Sequence, residues 1–211
     1  LQEQEGHNYV VYGPLALGAT VFMYEGAPFE PNPGRIWSLI EKHEITKFYT
    51  APTALRMAMK EGESWPSKYD LSSLKLLGSV GEPISEAAWE WYFRVIGKEN
   101  CDIIDTWWQT ETGAITISPF PGVTPLKPGC ASRPFFGVDP VVVDEDGLEK
   151  PFGKGALMLR KPTPSMARTV YGDHKRYEKE YWCEDTGFYK TNDAAFLDEE
   201  GEFWILGRID A

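Results

Sequence analysis

Cysteine and histidine are scarce in this sequence, with three of each among 211 residues. Cys101, Cys130 and Cys183 lie far apart, and neither they nor the scattered histidines have the spacing of a metal site. An odd number of isolated cysteines is typical of reduced, buried thiols rather than of a disulfide framework. We therefore expect three buried thiols and no His/Cys metal centre.

Long apolar runs and clusters of basic residues are also missing. No stretch approaches the ~18 apolar residues of a membrane-spanning helix, and the sequence shows no basic-then-apolar leader. The 32 acidic and 21 basic side chains give a net charge of -11, which opposes binding to nucleic-acid phosphates. We therefore expect a cytoplasmic protein with no nucleic-acid or membrane partner; its oligomeric state is left open. A small phosphorylated ligand is compatible with this charge, because backbone N–H groups and a metal ion can bind phosphate.

The residues that are present are typical of a globular protein, with 42% hydrophobic and 14% aromatic side chains. Up to residue 108, β-prone runs alternate with helix-length segments. This alternation predicts the α/β class, with a parallel sheet and crossover helices. The predicted strands are residues 20–24, 45–49, 74–80 and 103–107, and the predicted helices are residues 36–43, 52–60 and 85–96, with Pro52 in a first turn and Ser85 as an N-cap.

After Gly113 the pattern changes to short β-prone runs separated by proline and glycine. Residues 141–143 and 156–160 predict a hairpin around Asp146-Gly147. This half therefore reads as a smaller, mostly β, barrel-like unit. The chain starts without Met and stops directly after an apolar run, so we expect a piece of a longer protein. The other elements predicted here are strands at 188–191 and 203–206, a turn at 198–201 and a short helix at 173–182.

Two neighbouring strand ends carry the most informative residues. Gly81-Glu82-Pro83 follows the third predicted strand, and residues 105–113 (Asp-Thr-Trp-Trp-Gln-Thr-Glu-Thr-Gly) end the fourth. Ligands of parallel α/β sheets bind beyond the carboxyl ends of the strands, so a binding cleft is expected here. Thr110 and Glu111 suit a magnesium nucleotide, because Mg²⁺ binds one or two carboxylates together with phosphate oxygens. A helix cap and turn explain the same segment equally well.

The other candidate residues have ordinary explanations when each is taken singly. Glu82 can accept ribose hydroxyls, but a strand-to-helix turn explains its motif better. Trp107 and Trp108 face opposite sides of a strand, so one can pack inward while the other lines a cleft, although core packing is the commoner outcome. Asp193 can bind two ribose hydroxyls and Arg208 a phosphate or ribose oxygen, whereas a surface turn and a surface ion pair explain them too.

Considered together, these segments closely resemble the AMP-forming acetyl-CoA synthetases, a branch of the superfamily of acyl-CoA synthetases, peptide-synthetase adenylation domains and luciferases. The resemblance runs from about residue 6 to the end, and the tryptophan-rich segment 105–113 is specific for the acetate branch. It implies part of the large N-terminal domain of an adenylate-forming enzyme. The matching segments are residues 12–15, 49–56, 77–83, 105–113, 133–139, 167–169, 171–174 and 207–210.

The resemblance implies a ligase that works in two steps. Acetate and MgATP form acetyl-AMP and pyrophosphate, and CoA then takes the acetyl group. Magnesium is the implied cofactor, and ATP, acetate and CoA are the implied small-molecule partners. Thr110 would bind the phosphate and Glu111 would bind Mg²⁺, and these two would be the catalytic residues. The implied nucleotide-binding residues are Gly81, Glu82 and Pro83 along the adenine, Asp193 on the ribose, and Asp105, Thr106, Trp107, Trp108, Gln109, Thr110 and Arg208.

The acyl pocket and the domain organisation follow from the same resemblance. Trp108 would form the floor of the pocket, with Val80 beside it, and the large ring would exclude long acids, so acetate is expected and propionate tolerated. Ala51 would lie near the pantetheine channel of CoA, and Asp210 at the hinge to a C-terminal domain. The implied division is residues 1–122, an α/β subdomain with the nucleotide and acyl pockets, residues 123–206, a mostly β subdomain, and residues 207–211, the start of the hinge.

The chain departs from the family pattern in several places. It lacks the Ser/Thr/Gly-rich phosphate loop and the C-terminal domain whose lysine serves adenylation, so these residues alone are expected to be inactive. Glu3-Gln4-Glu5 stands where the family has Trp-Val-Thr, and Phe29 stands where an asparagine contacts CoA. Asn192 replaces a glycine before Asp193, and asparagine tolerates a positive φ better than most residues.

Two other functions are left open by the sequence. The substitutions just described would suit a non-catalytic pseudoenzyme. Eight tryptophans, with carboxylates such as Glu82 and Glu111, would suit a carbohydrate-active protein. That function, however, gives no role to the Thr-Glu-Thr-Gly segment ending at Gly113 or to the Tyr-Gly-Asp-His segment ending at His174.

Overall fold

The structure, a computed structural model, describes residues 6–209, which form two compact units. Residues 9–105 and 119–129 form one, which we call the α/β unit. Residues 6–8, 106–118 and 130–209 form the other, which we call the β unit. The boundary between Asp105 and Thr106 falls inside the segment that carries most of the candidate site residues.

A three-stranded parallel sheet, in the order β1-β2-β3, forms the α/β unit together with its helices. Parallel strands need crossover connections, and a helix lies between each pair of consecutive strands. The predicted α/β class is therefore confirmed. The strands are β1 (Lys47–Thr50), β2 (Leu76–Ser79) and β3 (Asp102–Asp105). The helices up to β3 are a π-helical segment (Gly6–Tyr12), α1 (Gly13–Ala16), α2 (Arg35–His43), α3 (Pro52–Glu61), a 3₁₀ turn (Pro66–Lys68), and α4 (Glu86–Trp91) with its π-helical continuation (Tyr92–Ile96).

The local sequence explains where these helices begin. Pro52 occupies the first turn of α3, where a missing N–H breaks no intrahelical bond. The Ser85 hydroxyl accepts a hydrogen bond from the Ala88 N–H (3.3 Å) and caps α4. The helices predicted at 36–43, 52–60 and 85–96 are thus confirmed, as are the strands predicted at 45–49, 74–80 and 103–107, whose ends shift by one or two residues.

The strand predicted at residues 20–24 is wrong, because within residues 6–209 this run does not adopt strand conformation. A β-prone run becomes a strand only where a neighbouring strand offers its backbone groups. Phe22 instead packs its ring against His43 at the end of α2, with the ring centroids 4.6 Å apart. Packing of side chains, and not pairing of strands, therefore holds this segment in position.

The apolar core of the α/β unit joins the sheet to its helices. Each fully buried large apolar side chain contributes about 1.5–3 kcal/mol relative to exposure, so this core fixes the strand ends in position. The most buried members are Trp37, Ile40, Leu55, Leu77, Tyr92, Ile96 and Ile103.

The β unit is built on a five-stranded antiparallel sheet in the order β5-β4-β6-β7-β8. It is the mostly β unit that the sequence predicts. The helix predicted at 173–182 is also confirmed, and the Asp173 carboxylate caps it by accepting a hydrogen bond from the Arg176 N–H (3.0 Å). The elements are β4 (Pro140–Val143), β5 (Glu149–Lys150), β6 (Gly153–Leu159), α5 (His174–Tyr181), β7 (Tyr189–Leu197) and β8 (Phe203–Arg208).

The hairpin predicted around Asp146-Gly147 is only partly right. The turn joins β4 to the short β5, and β6 pairs with β4 as well. The reason lies in Asp144, whose carboxylate accepts hydrogen bonds from the N–H groups of Asp146 (3.0 Å) and Leu148 (2.9 Å). This local bonding closes the turn tightly, so that β5 pairs with β4 before the chain reaches β6.

β7 is longer than the strand predicted at 188–191. Asn192 has φ of 57°, which confirms that asparagine accepts a positive φ at this position. The register between β6 and β7 shifts there, with Leu157 opposite Asp193 and Met158 opposite Lys190. The polar residues of such a bulge resemble a loop in sequence, which explains why the continuation was not predicted.

The three cysteines are free thiols. Cys101 and Cys130 are buried as expected, whereas Cys183 is half-buried. No helix within residues 6–209 is long and apolar enough to cross a membrane.

Candidate functional site

Asp193 is the centre of a hydrogen-bonded cluster in the β unit. It lies on β7 directly after the bulge, and its side chain is 9% exposed. Its Oδ2 atom accepts hydrogen bonds from the indole N–H of Trp107 (3.0 Å) and from the side-chain amide of Gln109 (2.9 Å). A guanidinium nitrogen of Arg208 lies 3.6 Å from Oδ1. These donors stabilise a buried carboxylate and fix its orientation.

Gln109 connects this carboxylate to the neighbouring strands. Its Nε2 donates to the carbonyl of Thr191 (2.6 Å), and its Oε1 accepts a hydrogen bond from the Tyr189 hydroxyl (3.1 Å). Arg208 donates to the same Thr191 carbonyl (3.1 Å). The structure therefore brings four of the sequence-predicted residues into one cluster, namely Trp107, Gln109, Asp193 and Arg208.

Two tyrosines that sequence reasoning missed belong to the same region. The ring of Tyr189 stacks on that of Tyr181, with centroids 6.1 Å apart and planes 3° from parallel. The Tyr181 hydroxyl donates to Oε1 of Glu111 (3.0 Å). Burial, followed by the negative charge of Glu111, raises the pKa of both tyrosines, so they are neutral donors at physiological pH. Tyr189 is close to Asp193 in the sequence, and this proximity could have suggested it as a site residue. No sequence pattern marks Tyr181.

The segment 109–113 contains both a turn and exposed polar groups. The buried Thr112 hydroxyl accepts a hydrogen bond from the Gln109 N–H (2.9 Å), which closes the turn. Thr110 is exposed and Glu111 is half-buried. The segment therefore contains the turn that the sequence suggested, and this turn leaves Thr110 and Glu111 accessible, as a nucleotide-binding segment would require.

Gly113 is required by close packing within the protein. It has φ of 70°, and a Cβ atom there would lie 2.3 Å from the carbonyl oxygen of Ser165. The Ser165 hydroxyl also donates to the carbonyl of Thr112 (2.7 Å). The absence of a side chain at Gly113 therefore allows the backbone to lie close to Ser165 of the same protein.

Glu111 is the carboxylate of the segment 109–113 that could take part in holding a metal ion. Mg²⁺ commonly takes one or two carboxylates and completes its shell with phosphate oxygens and water, and Glu111 fits that donor set. Among residues 6–209, no three His, Cys, Asp or Glu side chains come together as a metal site.

In the α/β unit, Glu82 joins the end of β2 to the start of α3. Its Oε1 atom accepts hydrogen bonds from the N–H (2.7 Å) and the hydroxyl of Thr53, and its Oε2 accepts one from Arg56 (2.8 Å). Ala51, at the N-cap of α3, has a methyl side chain that cannot accept a hydrogen bond. Glu82 therefore caps the helix from another element, as an acidic group at a helix N-terminus should.

The charge of Glu82 is stabilised by these partners. Burial acts to raise the pKa of Glu82, but the hydrogen bonds from Thr53 and Arg56 outweigh it, so the pKa is lowered overall. The strand-to-helix turn that the sequence favoured for this motif is what the structure contains. Glu82 is therefore ionised at neutral pH.

The other predicted residues of the α/β unit lie at the carboxyl ends of the strands. Val80 is buried after β2, and the exposed Gly81 has φ of 91°. Ser79 donates its hydroxyl to Oδ1 of Asp105 (2.7 Å), which ties β2 to β3. Ala51 is half-buried and Pro83 is exposed. In the β unit, Thr106 is buried, and Trp108 is half-buried beside the buried Trp107.

Some positions of interest fall outside or away from these clusters. Asp210, predicted at the hinge, and residues 3–5, which depart from the family pattern, lie outside the described residues. Phe29 is partly buried and packs against the apolar core of the α/β unit, so packing explains a large apolar residue there.

Comparison with known proteins identifies the family. Residues 5–171 match the family model described as AMP-binding enzyme. The chain belongs to this family. The match includes Glu82, Glu111 and the whole segment 105–113, which are among the positions on which the predicted resemblance rests.

This AMP-binding chain is similar to several acetyl-coenzyme A synthetases. It is 55% identical over 206 residues to that of Chlorobaculum tepidum and to that of Drosophila melanogaster, and 54% identical over 206 residues to acetyl-coenzyme A synthetase 2 of Pseudomonas aeruginosa. These alignments cover 97% of this chain but 31–32% of the relatives. The chain therefore spans about a third of their length, and the predicted resemblance is confirmed.

A solved structure supports the fold of this AMP-binding chain. An anthranilate CoA ligase in complex with anthranoyl-AMP is similar to it with a TM-score of 0.83 and 29% identity. The similarity covers 98% of this chain and 38% of that one. A parallel sheet accompanied by a separate antiparallel sheet is thus the architecture expected of this part of an adenylate-forming ligase.

Proposed function

We propose that the protein containing these residues is an AMP-forming acetate–CoA ligase. In the first step, a carboxylate oxygen of acetate attacks the α-phosphorus of ATP, and the bond to pyrophosphate breaks. In the second step, the CoA thiol attacks the acetyl carbonyl, AMP leaves, and the thiol proton passes to solvent. The 55% identity to acetyl-coenzyme A synthetases supports this chemistry, and the Asp193 cluster is the observation that carries it.

Asp193 is the proposed ribose ligand. A carboxylate can accept hydrogen bonds from two neighbouring hydroxyls, which is how acidic side chains bind a ribose. Trp107 and Gln109 hold the carboxylate in one orientation, so little ordering is needed when the sugar binds. Arg208, whose side chain is 46% exposed beside this carboxylate, is the proposed partner of a ribose or phosphate oxygen.

Thr110 and Glu111 are the proposed catalytic pair. Negative charge gathers at the α-phosphate in the transition state, so fixed donors and a cation give the largest help. The exposed hydroxyl of Thr110 would donate to the phosphate, and Glu111 would hold Mg²⁺. When bound, Mg²⁺ supplies Lewis-acid neutralisation of the phosphate charge.

We propose adenine and CoA contacts for the α/β unit. Gly81 and Pro83 are exposed and Glu82 is half-buried between them, and we propose that all three lie along the adenine. The bonds from Glu82 to α3 hold this loop in place. Asp105, fixed by Ser79, would contribute to the same nucleotide. Ala51, at the start of α3, would lie near the pantetheine chain of CoA.

The proposed acid is acetate, with propionate tolerated. The large, half-buried ring of Trp108 would limit the length of the acyl chain by overlap. Val80 keeps the acyl-pocket role that the resemblance implies, and Thr106 its nucleotide role. Residues 207–211 keep the role of a hinge to further chain.

The products formed by the complete protein test this proposal. With ATP, acetate and CoA, we expect acetyl-CoA, AMP and pyrophosphate in equal amounts. Formation of ADP and phosphate would contradict the AMP-forming chemistry. A protein that binds ATP but turns over no short acid would be the pseudoenzyme, and sugar cleavage without a nucleotide would restore the carbohydrate-active alternative, which the family match disfavours.

A further inference from the structure

Helix α5 carries two tyrosines that contact the candidate site from one side. Tyr177 and Tyr181 are one helical turn apart and therefore share a face. The Tyr177 hydroxyl donates to the backbone carbonyl of Ala167 (2.5 Å), whereas the Tyr181 hydroxyl donates to Oε1 of Glu111 (3.0 Å). Ala167 donates its own N–H to the backbone carbonyl of Glu111 (2.8 Å), so only the bond from Tyr181 reaches the carboxylate of Glu111.

The position of Tyr181 is fixed by its surroundings. Its ring lies parallel to that of Tyr189, which is buried and whose own hydroxyl donates to Gln109. The helix that carries Tyr181 is capped by Asp173 at its other end. The hydroxyl therefore reaches Glu111 from a rigid support, and not from a flexible surface chain.

A hydrogen bond of this kind changes what Glu111 can do. A glutamate side chain has three rotatable bonds and loses rotamer freedom when it binds a cation. With Oε1 held by Tyr181, that freedom is already reduced, and Oε2 is oriented as the oxygen that meets the ligand. Metal-binding carboxylates are commonly held by such outer hydrogen bonds, and their loss weakens metal affinity.

We propose that Tyr181 is a positioning residue for the metal-binding carboxylate Glu111. Its hydroxyl holds Glu111 in the orientation that receives the cation of a magnesium nucleotide. This inference rests on the proposed function, since that function gives Glu111 its metal. Tyr181 itself touches neither the metal nor the substrate.

Binding of Mn²⁺ in place of Mg²⁺ tests the inference without requiring turnover. Free Mn²⁺ is measured by electron paramagnetic resonance with the complete protein in excess over ATP, so that ATP outside the site does not chelate the cation. We expect Tyr181→Phe to weaken Mn²⁺ binding to the protein–ATP complex roughly tenfold, because one hydrogen bond to a charged group is lost. Trp204→Phe is the control, since it loses a hydrogen bond to a different carboxylate, that of Asp198 (3.2 Å), and it should bind Mn²⁺ like the wild type.

The double variant separates positioning from a general structural effect. If Tyr181 acts through Glu111, then Tyr181→Phe should have no further effect on Mn²⁺ binding in a Glu111→Gln background. Equal Mn²⁺ affinity in Tyr181→Phe and Trp204→Phe, with weaker binding in Glu111→Gln, would overturn the role of Tyr181 and leave the proposed function standing. Unchanged Mn²⁺ affinity in Glu111→Gln would overturn the role of Tyr181 together with the proposed metal ligand.

Discussion

At the scale of single residues, the buried Asp193 shows how the β unit holds a charged group in one orientation. Trp107 and Gln109 both donate to the same oxygen of this carboxylate. They are 86 and 84 positions away in the chain, so no local pattern in the sequence could show the contact. Sequence motifs could nominate Trp107, Gln109 and Asp193 separately, but only the register of β7 brings them together.

Replacing Trp107 tests the energetic importance of this cluster. Trp107→Phe removes the indole N–H and leaves a buried carboxylate with one donor fewer, so the free energy of unfolding should fall by about 1–3 kcal/mol. Trp204→Phe is the control, because Trp204 donates to the half-buried Asp198 (3.2 Å) and its loss should cost less than about 1 kcal/mol. Urea denaturation of the complete protein measures both, and equal losses in the two variants would contradict a special role for the Asp193 cluster.

Trp108 is the residue on which the proposed acid specificity depends. Trp108→Gly removes a large ring, so the preferred acid should become longer than propionate, and acetate should lose its advantage. Each methylene that a pocket accommodates is worth about 1–3 kcal/mol, so the ratio of kcat/KM for butyrate to that for acetate should rise by at least tenfold. The same order of preference in the variant and the wild type would show that Trp108 does not line the acyl pocket.

At the scale of secondary-structure elements, the α/β unit depends on contacts made at helix and strand ends. The starts of α3 and α4 could be predicted from Pro52 and Ser85, because each of these residues stabilises the first turn of the helix that follows it in the sequence. The cap that Glu82 gives to α3 could not be predicted, since it comes from the end of β2, 29 positions away. The strand prediction for residues 20–24 was wrong for a related reason, because β propensity does not specify which strand a segment will pair with.

The cap on α3 predicts a dependence of stability on pH. The folded-state pKa of Glu82 is lowered from its ordinary value of 4.5, so its contribution is present above that pH and is lost as the pH falls through the folded-state pKa. Wild type should therefore be more stable than Glu82→Gln at pH 7, and the difference should shrink below about pH 4. Urea midpoints of the two proteins across this range provide the measurement, and a difference that is constant with pH would show that the charge of Glu82 is not involved.

At the scale of the whole molecule, the sequence predicted the fold class and the family, but it did not predict the contacts among the candidate site residues. Alternating apolar segments determine a parallel sheet, and the segment 105–113 is distinctive enough to indicate the acetate branch. The sequence did not predict interactions among distant side chains, such as those of Tyr181 and Tyr189. It also did not predict the bulge at Asn192, which lengthens β7. These depend on how the strands pair, which composition and periodicity do not encode.

The central claim is that these residues bind and activate ATP for attack by acetate, and isotope exchange tests it most directly. In the complete protein we expect acetate-dependent exchange of labelled pyrophosphate into ATP, because adenylation is reversible before CoA is added. Asp193→Ala should abolish the exchange. Trp204→Phe should retain it, because Trp204 donates its hydrogen bond to Asp198 and not to Asp193. Exchange that is independent of acetate, or that persists in Asp193→Ala, would contradict the account.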